Sequence, residues 1–202
     1  MSHAHFLPAR ENPLSVKRVT SISYRHRKRD WCCELSRLAE LKFQAAIVGY
    51  QGSGKSTLLA ELRDRLDQAS HPNLYLYLPQ ERTEHAMLVS RAMGNCETHL
   101  VLVDGFERLT FWQRRRLVQQ AKNGAGIVLT AHRPVSSLTT WIHCHTDENL
   151  MRDLLEELGL NAPEIQAAGQ IAFRKSQGNI RTALRDLYDQ FSSGEFNEIL
   201  SR

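Results

Sequence analysis

The segment that most constrains the fold of this chain of 202 residues is a glycine-rich loop. The loop, called the glycine loop below, runs from Gly49 to Ser56 and reads Gly-Tyr-Gln-Gly-Ser-Gly-Lys-Ser. The four apolar residues 45–48 before it are typical of a short buried strand. Leucines follow it at positions 58, 62 and 66, and this spacing predicts a helix with one apolar face. A strand, a tight loop and a helix in direct succession favour a parallel α/β sheet.

The glycine loop matches the phosphate-binding pattern G-x-x-x-x-G-K-[ST] at every fixed position. Glycines allow the backbone N–H groups to point inward, and the following helix directs its positive end at the same point. Lys55 is expected to reach the β and γ phosphates of a nucleoside triphosphate, and the Ser56 hydroxyl to ligate Mg²⁺. The predicted nucleotide site consists of Gly49, Tyr50, Gln51, Gly52, Ser53, Gly54, Lys55, Ser56 and Thr57.

Strand and helix patterns alternate through residues 43–145. Further strands are predicted over residues 74–78, 99–104, 126–130 and 141–145, and helices over 83–93, ended by Gly94, and over 110–122. This alternation predicts a three-layer core around a parallel sheet. No strand pattern follows Thr146, and three helix patterns predict a small lid-like helical subdomain over residues 146–202.

Residues 1–42 are predicted to form a basic N-terminal arm and a helix. They hold nine Lys and Arg against four acids, a net charge of +5, whereas the whole chain has +4. Residues 1–20 lack a sustained period and predict a flexible or loosely docked arm, and Asp30 is expected to cap a helix through about Leu41. The basic run 25–29 suits DNA or another polyanion, and it equally suits a solvated arm.

Two further strand ends carry polar side chains suited to triphosphate chemistry. Asp104 ends the apolar strand 100–103, where a carboxylate can hold the hydration shell of Mg²⁺. Glu107 follows after two intervening residues and is the candidate to polarise the attacking water. The strand 126–130 ends in Thr130, with His132 close behind it. A polar residue here is expected beside the γ phosphate, between the strand of the glycine loop and that of Asp104.

Together these segments resemble the P-loop NTPases of the AAA+-like class over about residues 43–191. The stretch Asp-Gly-Phe-Glu from Asp104 to Glu107 resembles the Walker B variant of STAND and NACHT NTPases. Thr130 resembles sensor 1 of AAA+ proteins, and the same stretch resembles the switch-histidine strand of ABC-type ATPases, which favours His132. The stretch from Gly178 to Leu184 is similar to sensor 2, which implies that Arg181 is a lid arginine over the bound phosphates.

The resemblance implies an ATPase or an ATP-dependent switch that couples hydrolysis to lid movement and a partner. Glu107 stands apart from Asp104, so turnover is expected to be slow. No convincing arginine finger precedes the fifth strand, although Arg133 and residues 114–116 are candidates, so oligomerisation stays open. A small-molecule kinase and a nucleotide-binding module with little hydrolysis are the alternatives.

The expected ligands are ATP and Mg²⁺, since no guanine-reading Asn/Thr-Lys-x-Asp pattern is present. The expected partners are a protein or DNA, the latter through the basic arm. Neither a membrane-spanning run nor a secretory h-region occurs in the sequence, which favours a cytoplasmic location without a membrane partner.

Overall fold

A parallel sheet organises the computed structural model, which describes residue 8 and residues 11–22, 30–196 and 199. The strands are β1 (Gln44–Gly49), β2 (Asn73–Tyr77), β3 (Leu100–Asp104), β4 (Ile127–Ala131) and β5 (Thr139–Cys144). Their order across the sheet is β2-β3-β4-β1-β5, and every neighbouring pair is parallel. Because β4 lies between β1 and β3, the carboxyl ends of these three strands meet at one edge of the sheet.

Helices cover both faces of the sheet. They are α2 (Trp31–Glu40), α3 (Lys55–Gln68), α4 (His85–Asn95) and α5 (Phe111–Lys122), and they are preceded in the chain by α1 (Val16–Thr20). Successive residues of β3 alternate between two cores. Val101 and Val103 pack with residues of α4 and α5, whereas Leu100 and Leu102 pack with residues of α2 and α3. A strand buried on both faces needs a continuous apolar sequence, and this explains the run 100–103. The predicted three-layer parallel α/β core is confirmed.

The remaining helices form a separate compact unit. They are α6 (Glu148–Glu157), α7 (Pro163–Lys175) and α8 (Ile180–Ser192), which share a core of their own with α1. This helical unit comprises the described residues of 1–23, 51–53 and 145–202, and the sheet unit comprises those of 24–50 and 54–144.

Residues 11–22, which include α1, are packed rather than loose, in contrast to the arm predicted over residues 1–20. Leu14 and Ile22 are buried in the core of the helical unit. The side chain of Asn12 is fully buried, donates to Tyr188 O at 3.0 Å and to Ser192 Oγ at 3.1 Å, and accepts from Leu14 N at 2.9 Å. The basic run 25–29 lies outside the described residues.

Local signals placed most helix ends correctly. Asp30 caps α2, as predicted, accepting from Cys32 N, and Thr110 and Gln113 form a capping box at the start of α5. Gly94 as the end of α4 is wrong, because the helix continues through it to Asn95 and Gly94 does not take a left-handed conformation. Within the described part of the chain, no helix is long and apolar enough to cross a membrane.

Candidate functional site

The glycine loop places two residues in the left-handed region of the backbone. Gly52 has φ 78° and Gly54 has φ 84°, conformations that residues with a Cβ atom rarely adopt. Gly54 is also the N-cap of α3, and it accepts the first helical bond, from Leu58 N at 2.9 Å. The loop therefore turns directly into a helix N-terminus, where unpaired backbone N–H groups and the helix dipole favour an anion.

Lys55 lies at the start of α3 and folds back along the glycine loop. Its side chain is largely buried, and Nζ donates to Gly49 O at 2.8 Å and to Tyr50 O at 2.7 Å. Two carbonyl groups of the loop thus fix the position of the ammonium group. A fixed cation at a helix N-terminus is the arrangement that phosphate binding requires.

Asp104 is the centre of a small polar cluster at the ends of β3 and β4. Its Oδ1 atom accepts from Ser56 Oγ at 3.0 Å and from Thr130 Oγ1 at 2.9 Å. Thr130 in turn accepts from the backbone N–H of Gly105 at 3.0 Å. Asp104 is 6% exposed and Thr130 is 1% exposed. The structure therefore brings together three of the predicted residues in one hydrogen-bonded group, in which Asp104 and Thr130 are buried and Ser56 is half-buried.

Tyr75 joins this cluster and was missed by the sequence analysis. Its hydroxyl group donates to Asp104 Oδ2 at 3.4 Å. Burial, followed by the negative charge of Asp104, raises the pKa of Tyr75 from 10.0 to about 12. Tyr75 therefore remains a neutral hydrogen-bond donor at any physiological pH. Nothing in the local sequence distinguishes Tyr75, because its position depends on the parallel pairing of β2 with β3, in which Tyr75 lies opposite Leu102.

Glu107 and His132 form a second pair. Glu107 lies in a 3₁₀ turn (Phe106–Arg108), and its Oε1 atom is 3.4 Å from His132 Nε2. Its Oε2 atom is buried and has no hydrogen-bond partner in the part of the chain that the structure describes, and its backbone carbonyl accepts from Arg114. Among the described residues, neither Glu107 nor His132 forms a hydrogen bond with Ser56, Asp104 or Thr130. The two candidates for hydrolysis thus contact each other and are separate from the Asp104 cluster.

The other predicted residues of the glycine loop differ in exposure. Ser53 is 3% exposed and its Oγ atom has no hydrogen-bond partner among the described residues. A buried hydroxyl group without a partner suits a polar ligand. Tyr50 is 79% exposed, and Gln51 and Thr57 are also exposed, so these three side chains contribute little to the packing of the loop.

Arg181 lies in the helical unit, in the first turn of α8. The helix is capped by Asn179, whose side chain accepts from Thr182 N at 3.2 Å. Ile180 and Leu184 are buried in the helical core, and Arg181 is exposed. Its role toward phosphate stays a prediction.

The oxygen atoms of Ser56 and Asp104 suit Mg²⁺. This cation prefers oxygen ligands in octahedral geometry at 2.0–2.1 Å, so two adjacent ligands lie about 2.9 Å apart. The observed separation of 3.0 Å between Ser56 Oγ and Asp104 Oδ1 fits this geometry. In the part of the chain that the structure describes, no group of three His, Cys, Asp or Glu side chains could hold a metal. Mg²⁺ does not need one, because it usually keeps several waters and takes one or two carboxylates plus phosphate oxygens.

No protein-family model matches the sequence, and no curated protein is significantly similar to it.

Proposed function

We propose that this chain binds ATP with Mg²⁺ at the glycine loop, acting as a P-loop NTPase, and hydrolyses it slowly as an ATP-dependent switch. The observation that carries the proposal is the hydrogen bond between Ser56 and Asp104 beside the fixed ammonium group of Lys55. A phosphate-binding loop requires a cation for the phosphates. It also requires a hydroxyl group and a carboxylate close to each other as candidate ligands of Mg²⁺. Each of these groups is held by neighbours that the fold supplies.

Binding is assigned to the loop and to α3. The N–H groups at the start of α3 and the ammonium group of Lys55 would surround the β and γ phosphates. The oxygen atoms of Ser56 and Asp104 would hold Mg²⁺, which neutralises charge on the phosphate oxygens when bound. Thr130 orients Asp104 by donating to Oδ1, and Tyr75 does so by donating to Oδ2.

Hydrolysis requires a base for the attacking water. In this step the water oxygen forms a bond to the γ phosphorus, the bond from that phosphorus to the β–γ bridging oxygen breaks, and ADP and phosphate leave. We assign to Glu107 the proton that the water loses, because its Oε2 atom has no hydrogen-bond partner among the described residues. Its Oε1 atom contacts His132 rather than the Asp104 cluster, and this separation is the reason that slow turnover is proposed.

A second candidate is a nucleotide-binding module without useful hydrolysis. It is favoured by the same contact between Glu107 and His132, since a carboxylate held at 3.4 Å from an imidazole is less available to a water. In both cases the protein would act through movement of the lid-like helical subdomain that depends on the bound nucleotide. Arg181 in α8 is the residue proposed to respond to the γ phosphate.

Phosphate release from ATP separates these functions. The full chain should release phosphate from ATP without any acceptor, slowly but above the rate of Lys55→Ala. A screen with small-molecule acceptors should not accelerate the consumption of ATP. Acceleration by an acceptor, with transfer of the phosphoryl group to it, would indicate a kinase. Tight ATP binding with no phosphate release in a single turnover would indicate a binding module.

A further inference from the structure

A cleft in the sheet unit lies between α5 and the loop that connects β4 to β5. Its volume is about 700 Å³, within the range of ligand-binding clefts. One wall is the face of α5 that carries Phe111, Arg115 and Lys122, and the opposite wall is residues 131–137. The cleft is distinct from the Asp104 cluster, since it includes none of Ser56, Asp104 and Thr130.

Positive charge dominates the lining of this cleft. It contains four cations and one carboxylate, that of Glu107. The cations are Arg114, Arg115, Lys122 and Arg133. Arg115 and Lys122 lie two helical turns apart on α5, roughly 10 Å along the axis. Arg133 is exposed on the opposite wall. Cations spaced along an open cleft match a ligand with repeated negative charges better than a single small anion.

Exposed aromatic rings stand at the start of α5. Phe111 is 66% exposed and lines the cleft, and Trp112 beside it is 75% exposed. The two rings lie edge to face, with centroids 5.4 Å apart. Burying Phe111 and Trp112 in the fold would have stabilised it, so their exposure points to an intermolecular role. Sites for single-stranded nucleic acid combine the same two features, since the bases stack on aromatic rings and the neighbouring cations contact the phosphates.

We propose that this cleft binds single-stranded nucleic acid, with phosphates on the exposed Arg115 and Arg133 and a base stacked on Phe111. The cleft is suited to a single strand rather than to duplex DNA, because only unpaired bases offer a face to an aromatic ring. An acidic peptide would satisfy the cations but would leave the rings of Phe111 and Trp112 without a stacking partner. The cleft shares Glu107 and His132 with the residues proposed for hydrolysis. The inference does not rest on nucleotide binding, because the strand is assigned to Phe111, Arg115 and Arg133, none of which has a role in the proposed nucleotide site.

The test uses the full chain and a fluorescein-labelled oligothymidine of roughly 20 nucleotides, long enough for a typical binding site. Affinity is measured by fluorescence anisotropy at several salt concentrations, without ATP. The test variants are Arg115→Glu, Arg133→Glu and Phe111→Ala. The control for charge is Arg116→Glu, an exposed arginine of the same helix that does not line the cleft. The control for lost apolar surface is Met87→Ala, which is 64% exposed on α4.

The proposal predicts that each of the three test variants weakens binding by about tenfold or more, while both controls stay within about twofold of the wild type. Arg115→Glu and Arg133→Glu should each also make the affinity for oligothymidine less dependent on salt. Loss of one phosphate contact corresponds to a change of roughly 0.7 in the slope of log K against the logarithm of the salt concentration. Trp112 fluorescence should change on binding in the wild type and much less in Phe111→Ala.

Several results would overturn the assignment. The first is an equal loss of affinity for oligothymidine in Arg115→Glu and Arg116→Glu. The second is tighter binding of duplex DNA than of the single strand. The third is competition by an acidic peptide that is as effective as competition by unlabelled oligothymidine. A fourth result would place the nucleic acid on the basic arm instead. In that case neutralising residues 25–29 would abolish binding, whereas all the cleft variants would retain it. The same measurements on Lys55→Ala separate this proposal from the nucleotide site, because that variant should bind the strand normally.

Discussion

The hydroxyl group of Ser56 donates to the carboxylate of Asp104 at 3.0 Å, although 48 positions separate the two residues in the chain. Ser56 is fixed by the first turn of α3, and Asp104 by the end of β3. In the sheet only β4 lies between β1 and β3, and all three strands are parallel, so the loop after β1 and the end of β3 lie at the same edge. The contact is therefore a property of the sheet order.

Asp104→Asn should abolish the effect of Mg²⁺ on ATP binding. The asparagine keeps the size of the side chain but removes the negative charge that a cation requires. In the wild type, ATP affinity should fall when EDTA replaces Mg²⁺, whereas in the variant it should be the same in both buffers. Phosphate release should fall on the order of a hundredfold. Asp64→Asn, on the exposed surface of α3, is the matched control and should retain the Mg²⁺ effect. A normal Mg²⁺ effect in Asp104→Asn would remove this carboxylate from the metal site.

Glu107→Gln should slow the chemical step without weakening ATP binding. The amide cannot accept the proton of the attacking water, and loss of a general base typically costs about 10²-fold to 10⁴-fold. Single-turnover phosphate release measures the step directly. Glu97→Gln, an exposed glutamate after α4, should behave as the wild type. An unchanged rate in Glu107→Gln would exclude this residue as the base.

Tyr75 should make the fold sensitive to alkaline pH. Its pKa is raised from 10.0 to about 12, because burial and the charge of Asp104 oppose ionisation. Between these values the unfolded state loses the proton first, so the contribution of Tyr75 to stability is complete below pH 10 and is lost as the pH rises toward 12. Urea unfolding at pH 9 and pH 11 should therefore show a smaller loss in Tyr75→Phe than in the wild type. Equal losses in both proteins would contradict the shifted pKa.

Asn12→Ala should destabilise the helical unit. The variant removes two donated hydrogen bonds, to Tyr188 O and Ser192 Oγ, and leaves the N–H of Leu14 without its acceptor. Loss of such buried bonds costs about 1–3 kcal/mol of the free energy of unfolding. Ser15→Ala is the control, since the Ser15 side chain makes no capping bond to α1. Urea unfolding followed by circular dichroism measures both. A cost below that of the control would mean that residues 11–22 are not part of the folded unit.

Much of the sheet unit could be predicted from local sequence. Apolar runs bounded by turns predicted the five strands, and the capping residues Asp30 and Thr110 marked the starts of helices correctly. The prediction that a polar residue at the end of β4 lies between β1 and β3 is matched by the position of Thr130. The apolar runs and the capping residues are each encoded within a few neighbouring residues, and therefore they are visible in the sequence.

The parts that could not be predicted depend on distant contacts. Tyr75 looks like one more residue of an apolar strand, and only the pairing of β2 with β3 brings its hydroxyl group to Asp104. Asn12 lies in a stretch without periodicity, and its partners are 176 and 180 positions away. The contact between Glu107 and His132 depends in the same way on the adjacency of β3 and β4.

The affinity for ATP in the presence of Mg²⁺ tests the central claim most directly. A fluorescent ATP analogue titrated into the wild type, Lys55→Ala and Lys175→Ala compares the loop lysine with an exposed lysine at the end of α7. We expect saturable binding to the wild type and to Lys175→Ala, and a loss of at least about a hundredfold in Lys55→Ala, because its ammonium group is the cation fixed in the glycine loop. Equal affinity of Lys55→Ala and Lys175→Ala would contradict the assignment of the nucleotide site.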